Sequence, residues 1–168
     1  MAAVIYMSVR FFRPVPRLSL VQFAEIPALT ALYQRAWDPI SGFDGRFLAE
    51  ARPPEDEVGA WLRGGFEVYG AYQDGRLVGT IRCCFPISVC FVDRLAVDPG
   101  ERGKGFGRYL VEHAVSRARR AGAMRVWQVL SPRLESALAI ADDLGFRAVA
   151  RQPARYWGEE IVLLELTL

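Results

Sequence analysis

The chain has a single histidine and only three cysteines. That scarcity bears first on metals. Cys83 and Cys84 are adjacent, so on a strand they point to opposite faces, and Cys90 does not complete a C-x-x-C pair. One histidine cannot build a tetrahedral site around them, so no metal centre is expected. An odd number of thiols without metal spacing fits a reducing compartment, and the expected location is cytoplasmic. No run of 18 apolar residues occurs, which gives no reason to expect a membrane partner. The N-terminal stretch is apolar but short, with no basic region ahead of it, and does not read as a signal peptide. No charge of one sign dominates either. The 21 Lys and Arg against 19 Asp and Glu leave a net charge of +2, too even for a nucleic-acid partner. No repeat or low-complexity linker divides the 168 residues, and a 52% hydrophobic content can fill a core, so residues 1–168 are expected to form one domain.

What is present is a regular alternation of strand and helix signals. A first strand is expected over Ser8 to Val15, before Pro16. Ile26, Leu29, Leu32, Tyr33 and Trp37 carry helical spacing, stopped by Asp38-Pro39. Ser41 to Arg46 reads as loop. A second helix follows Pro53-Pro54, with Glu55, Asp56 and Glu57 suited to its first turn, and stops at Gly64-Gly65. The runs 66–72 and 76–85 flank Gln73-Asp74-Gly75, a hairpin signal. Downstream come a strand over 125–130, a short helix over 134–144 and closing strands over 146–152 and 161–168.

Between the hairpin and these closing elements lies the most informative segment. A β-prone run ends at Asp98-Pro99 and passes into a turn with Gly103, Gly105 and Gly107 interleaved with Arg102, Lys104 and Arg108. A helical stripe, Phe106, Leu110, Ala114 and Ala118, starts at once, and Gly122 stands at its C-terminal cap. Glycine lets a backbone approach a ligand closely. A helix N-terminus adds unpaired N–H donors and positive dipole, so the segment reads as a phosphate cradle. The ATP-type loop needs Lys followed by Ser or Thr, but Lys104 is followed by Gly105. The dinucleotide turn needs G-x-G-x-x-G, but Arg108 or Leu110 falls on its third glycine, and the next strand supplies no ribose-binding acid.

The remaining pattern is R-x-x-G-x-G, from Arg102, Gly105 and Gly107, within L-A-V-D-P-G-E-R-G-K-G-F-G-R-Y-L over 95–110. It resembles the acyl-coenzyme A pyrophosphate loop of the GNAT superfamily of N-acyltransferases. The resemblance implies an α/β (α+β) fold in the order β-α-α-β-β-β-α-β-α-β-β, with a single mixed, mostly antiparallel sheet flanked by helices. It implies acetyl-CoA as co-substrate. The reaction would be direct attack by a primary amine, of a small molecule or a protein, in a ternary complex. A homodimer is left open. By the resemblance, backbone groups of Leu95, Ala96 and Val97 hold the pantetheine and acyl portion. Those of the turn, Arg102, Gly103, Lys104, Gly105, Phe106, Gly107 and Arg108, hold the pyrophosphate.

The catalytic groups are less determined. Asp93 interrupts an apolar strand on the parity of Phe91, Leu95 and Val97, either as a general base, directly or through water, or ion-paired with Arg82 or Arg94. Family members often carry a glutamate where Phe91 stands. They also carry an asparagine and a thiolate-protonating tyrosine where this chain has Leu134 and Ala141. Ser131, just after a strand expected to splay from the central one, is the candidate replacement acid, with Tyr109 and Tyr156 as weaker ones. His113 is expected at the margin of its helix as a satisfied structural residue. Trp37, Phe43, Phe47 and Trp61 lie where the family shapes its acceptor pocket, and core packing accounts for most of them equally well. The missing tyrosine leaves an alternative, a coenzyme A-binding module with little turnover.

Overall fold

A computed structural model describes residues 16–38, 42–153 and 159–168. Through them runs one seven-stranded sheet in the order β1-β2-β3-β4-β5-β7-β6. The strands are β1 (Arg17–Leu20), β2 (Glu67–Gln73), β3 (Arg76–Cys84), β4 (Val89–Val97), β5 (Arg125–Leu130), β6 (Arg147–Gln152) and β7 (Ile161–Thr167). All neighbours pair antiparallel except β4 and β5. The mixed, mostly antiparallel sheet expected from the resemblance is therefore the one observed. The expected first strand over 8–15 lies outside the described residues, and β1 is seen at Arg17–Leu20.

Five helices flank the sheet among the described residues: α1 (Ile26–Trp37), α2 (Gly45–Ala51), α3 (Glu55–Arg63), α4 (Phe106–Arg120) and α5 (Glu135–Asp143). One more helix precedes β2 than the expected order contains. The segment read as loop starts α2 instead, because the Asp44 carboxylate accepts the Arg46 N–H at 2.8 Å and caps the helix. Turn-forming Gly42, Asp44 and Gly45 mark a helix entry rather than a continuing loop.

The helices divide the core between the two faces. On one face α1 and α3 pack Leu29, Leu32, Tyr33, Val58 and Trp61 against the sheet. On the other, α4 buries Phe106, Leu110, Ala114 and Ala118, the stripe the sequence spacing predicts. Full burial of one such leucine contributes about 2 kcal/mol. Gly122 ends α4 at φ 74°, and the Ala123 N–H reaches back to the Ala118 carbonyl. The β2–β3 hairpin turns at Asp74 (φ 51°) and Gly75 (φ 77°), with Gln73 opposite Arg76.

Two irregularities at the sheet's centre shape the site. Between the rungs Arg82–Asp93 and Thr80–Ala96, a single β3 residue, Ile81, faces two β4 residues, Arg94 and Leu95. Arg94 takes φ 54° to absorb the extra residue as a bulge. Farther along, β4 and β5 share rungs only from Val89–Arg125 to Val92–Gln128. Beyond that point β5 stays with β7 while β4 leaves it, and the sheet opens as a V.

Candidate active site

The V opens into one cavity of about 1080 Å³. Its walls include the β4 end (Phe91 and Asp93 to Val97), the β5 end (Gln128 to Ser131), the glycine turn and one side of α5. In an antiparallel ladder the backbone groups of alternate residues point to opposite neighbours. Past Val92, those of β4 that would meet β5 therefore face the cavity instead.

The turn is held from below by carboxylates. Asp98 accepts the Gly100 N–H at 3.1 Å and pairs with Arg35 at 3.1 Å and Arg76 at 3.0 Å. Burial alone would raise its pKa, but these donors outweigh it and hold the carboxyl below its usual range. Buried Glu101 binds Arg76 and Lys104, each at 2.8 Å. Arg102 donates to the Ala36 carbonyl, and Arg108 pairs with Asp143. The interleaved cations thus brace the turn, leaving its ligand-facing part to the main chain.

That main chain is open. Gly103 (φ 75°) and Gly105 (φ 92°) take left-handed backbone, and a Cβ added to either meets nothing within 4 Å among the described residues. Gly105 caps α4, so the N–H groups of Phe106, Gly107 and Arg108 have no intrahelical acceptor, whereas the Tyr109 N–H already bonds Gly105. Gly107 has a different reason to be glycine. A Cβ there would stand 3.2 Å from Ile140 Cδ1, so it lets α5 approach α4.

At the other end of the cavity, Asp93 accepts two hydrogen bonds from Arg82, at 2.7 and 2.6 Å. Burial would lower the Arg82 pKa, but the bonds and charge of Asp93 overcome it and raise it. Arg82 also lies over Trp61 and Phe66, at 4.3 and 4.5 Å from their ring centres. The bulge changes the parity drawn from sequence. Asp93 is on the side of α1 and α3, while Leu95 and Val97 turn to the α4 side. Two residues that alternation would separate, Asp93 and Arg94, share a side. Arg94 reaches Glu50 and Glu57 from the bulge.

Tyr33, which no motif marked, also lines the cavity, and its hydroxyl donates to the Arg94 carbonyl at 3.2 Å. Its burial keeps that hydroxyl protonated far beyond neutral pH. Trp37, Phe43 and Phe47 form an aromatic wall, with the two phenylalanines stacked at 4.8 Å and Trp37 edge-on to both. Trp61 is not part of that wall; it packs edge-on against Tyr33 beneath Arg82 and Arg94.

Ser131 is 1% exposed on the cavity wall, and its Oγ accepts the Arg133 N–H at 3.3 Å. Ala141 is buried within α5, and Leu134 lines the cavity at the helix entry. Tyr156 lies outside the described residues. His113 is not satisfied as expected. Its Nε2 is buried without a hydrogen-bond partner among the described residues, and its ring meets Tyr69 edge-on at 4.5 Å.

A sequence model of the acetyltransferase (GNAT) family matches residues 27–146, from α1 to the residue before β6. The chain belongs to that family. Other GNAT-fold structures superimpose on most of it. The ribosomal-protein-S18-alanine N-acetyltransferase of Escherichia coli aligns with a TM-score of 0.77 at 18% identity, covering 90% of this chain and 93% of its own. A GNAT superfamily phosphinothricin acetyltransferase from Sinorhizobium meliloti, solved with acetyl-CoA, gives 0.76 at 19%, covering 92% and 89%. The PaiA N-acetyltransferase of Thermoplasma acidophilum, solved with coenzyme A, gives 0.68 at 13%, covering 91% and 99%. At these identities the likeness to each structure is one of fold. Comparison with curated proteins gives no match. No helix among the described residues is long and apolar enough to cross a membrane.

Proposed function

We propose that this GNAT chain transfers an acyl group, acetyl in the simplest case, from coenzyme A to a primary amine by direct attack in a ternary complex. The observation that carries the reading is the continuity of the cavity. One space connects the open glycine turn, the bulged end of β4, Asp93 and the aromatic wall. The free N–H groups at the start of α4 suit a pyrophosphate. The backbone of Leu95, Ala96 and Val97 suits the arm that follows it.

In this reading Asp93 takes the amine proton, directly or through water. Its pairing with Arg82 leaves lone pairs for a substrate N–H. The amine nitrogen then bonds the acyl carbon, the carbon–sulfur bond breaks, and the Ser131 hydroxyl gives the thiolate a proton and regains, through water, the one the amine gave up. Trp37, Phe43 and Phe47 would pack the body of the acceptor.

A second reading stays specific to this chain. Buried Ala141 has no proton to give where the family resemblance implies a tyrosine. A coenzyme A-binding module with little turnover would share the cradle and lack the chemistry. Thiol release from acetyl-CoA across a panel of small amines and amine-bearing peptides separates the two. The transferase reading predicts release with at least one amine. It also predicts that Asp93→Asn lowers kcat at least tenfold while leaving acetyl-CoA affinity within twofold. Tight acetyl-CoA binding with no release on any amine would favour the binding module.

A further inference from the structure

Gln128 has no part in the chemistry above, yet it is 1% exposed and its Oε1 has no hydrogen-bond partner among the described residues. It lines the cavity at the last rung that β4 and β5 share. Val126 and Leu130, on the same parity of β5, belong to the apolar core under α4 and α5. A buried amide carbonyl without a protein partner destabilises the free protein, and Met or Leu would occupy the site without that penalty. A ligand that supplies a hydrogen-bond donor accounts for its presence.

Position in the V says which end of which ligand. From Val92 to Val97 is five residues, or about 17 Å at 3.3 Å per residue, and the glycine turn follows. A donor with its pyrophosphate at the turn and its arm along β4 brings its thioester to the level of Gln128. Asp93 and the aromatic wall are on the α1 side, whereas Gln128 is on the α4 side, so the acyl donor and not the acceptor meets it. We propose that Gln128 recognises the thioester end of the acyl donor, its Oε1 accepting a hydrogen bond from an N–H or O–H of that molecule. The proposal rests on the coenzyme A reading of the cavity. The donor group has two sources, an amide N–H of the arm beside the sulfur or a hydroxyl on the acyl group. A longer, purely apolar acyl chain brings no donor of its own and, where the acyl hydroxyl is the source, seals the carbonyl among methylenes, so that Gln128 then selects against it.

The test compares wild-type protein with Gln128→Met, which keeps the volume and removes the carbonyl; Gln128→Leu is the second variant. Melting temperature is measured without ligand. Affinities for coenzyme A, acetyl-CoA and 3-hydroxybutyryl-CoA are measured by calorimetry without amine. The expected result is an equal or higher melting temperature in the free variants, together with about tenfold weaker donor binding. Equal loss for coenzyme A and acetyl-CoA assigns the hydrogen bond to the arm. Loss confined to 3-hydroxybutyryl-CoA assigns it to the acyl hydroxyl. Both variants binding all three ligands as wild type does would overturn the proposal alone. Wild-type protein that binds none of them would defeat the coenzyme A reading and this proposal with it.

Discussion

Arg94 illustrates how one backbone angle reorders a site. Its left-handed φ lets a single β4 residue be absorbed without a partner, and every side chain beyond it changes face. Strict alternation put Asp93 with Leu95 and Val97, and nothing in Val-Asp-Arg-Leu announces a bulge. The pairing of Asp93 with Arg82 was open to sequence as one alternative among several, because cross-strand partners depend on register. His113 carries a second consequence at this scale. Burial first, and the charge of Arg120 next, lower its pKa below the usual 6.5. The unfolded chain therefore takes up a proton before the folded one does. Stability is undiminished above pH 6.5 and falls as pH drops below it, until the folded-state pKa is passed. Asp98, shifted down from 3.8, contributes its own loss only at lower pH. As His113 is the single histidine, His113→Phe is expected to flatten the melting temperature between pH 7 and pH 5. Parallel slopes in the two proteins would show that His113 is not the group responsible.

Among the elements, α4 was the most legible and α2 the least. The stripe of α4, its glycine entry and its Gly122 exit are all local signals, and the helix follows them residue by residue. α2 is seven residues long, too short for periodicity to stand out, and it depends on the Asp44 cap. Glu159 also accepts the Asp44 N–H at 3.2 Å, a partner 115 residues away that no local pattern contains. Since α2 carries Phe47 of the aromatic wall, the cap has a functional reach. Asp44→Ala should destabilise α2 by about 1 kcal/mol. Faster amide exchange over 45–51 and a raised KM for the amine, with acetyl-CoA affinity unchanged, are the expected readouts. Unaltered exchange would mean that packing alone holds the helix. The polar residue at the buried parity of β5, Gln128, was readable in sequence as an anomaly, but only the parting of the strands gives it a cavity to face.

For the molecule as a whole, the sheet is continuous where stability is needed and divided where ligands are to enter. β4 and β5 hold four parallel rungs, then separate, and the two helical layers reach the same opening from opposite faces. The succession of strands and helices and the glycine turn follow from hydrophobic periodicity and turn chemistry, so they are legible in the chain; the mixed sheet was expected from the family resemblance alone. The width of the V and the identity of the acceptor depend on side chains from distant segments and are not. The central claim is that the main chain of the turn receives the acyl donor. Gly105→Val tests it most directly, with Gly75→Val as a strain-matched control. Both glycines are left-handed, and a Cβ on either meets open space, but Gly75 lies in the β2–β3 hairpin. Each substitution should cost about 1–2 kcal/mol of stability and leave a cooperative melt. Calorimetric titration with acetyl-CoA is predicted to show binding by wild type and Gly75→Val, and at least tenfold weaker binding by Gly105→Val. Equal affinities in all three proteins would contradict the account.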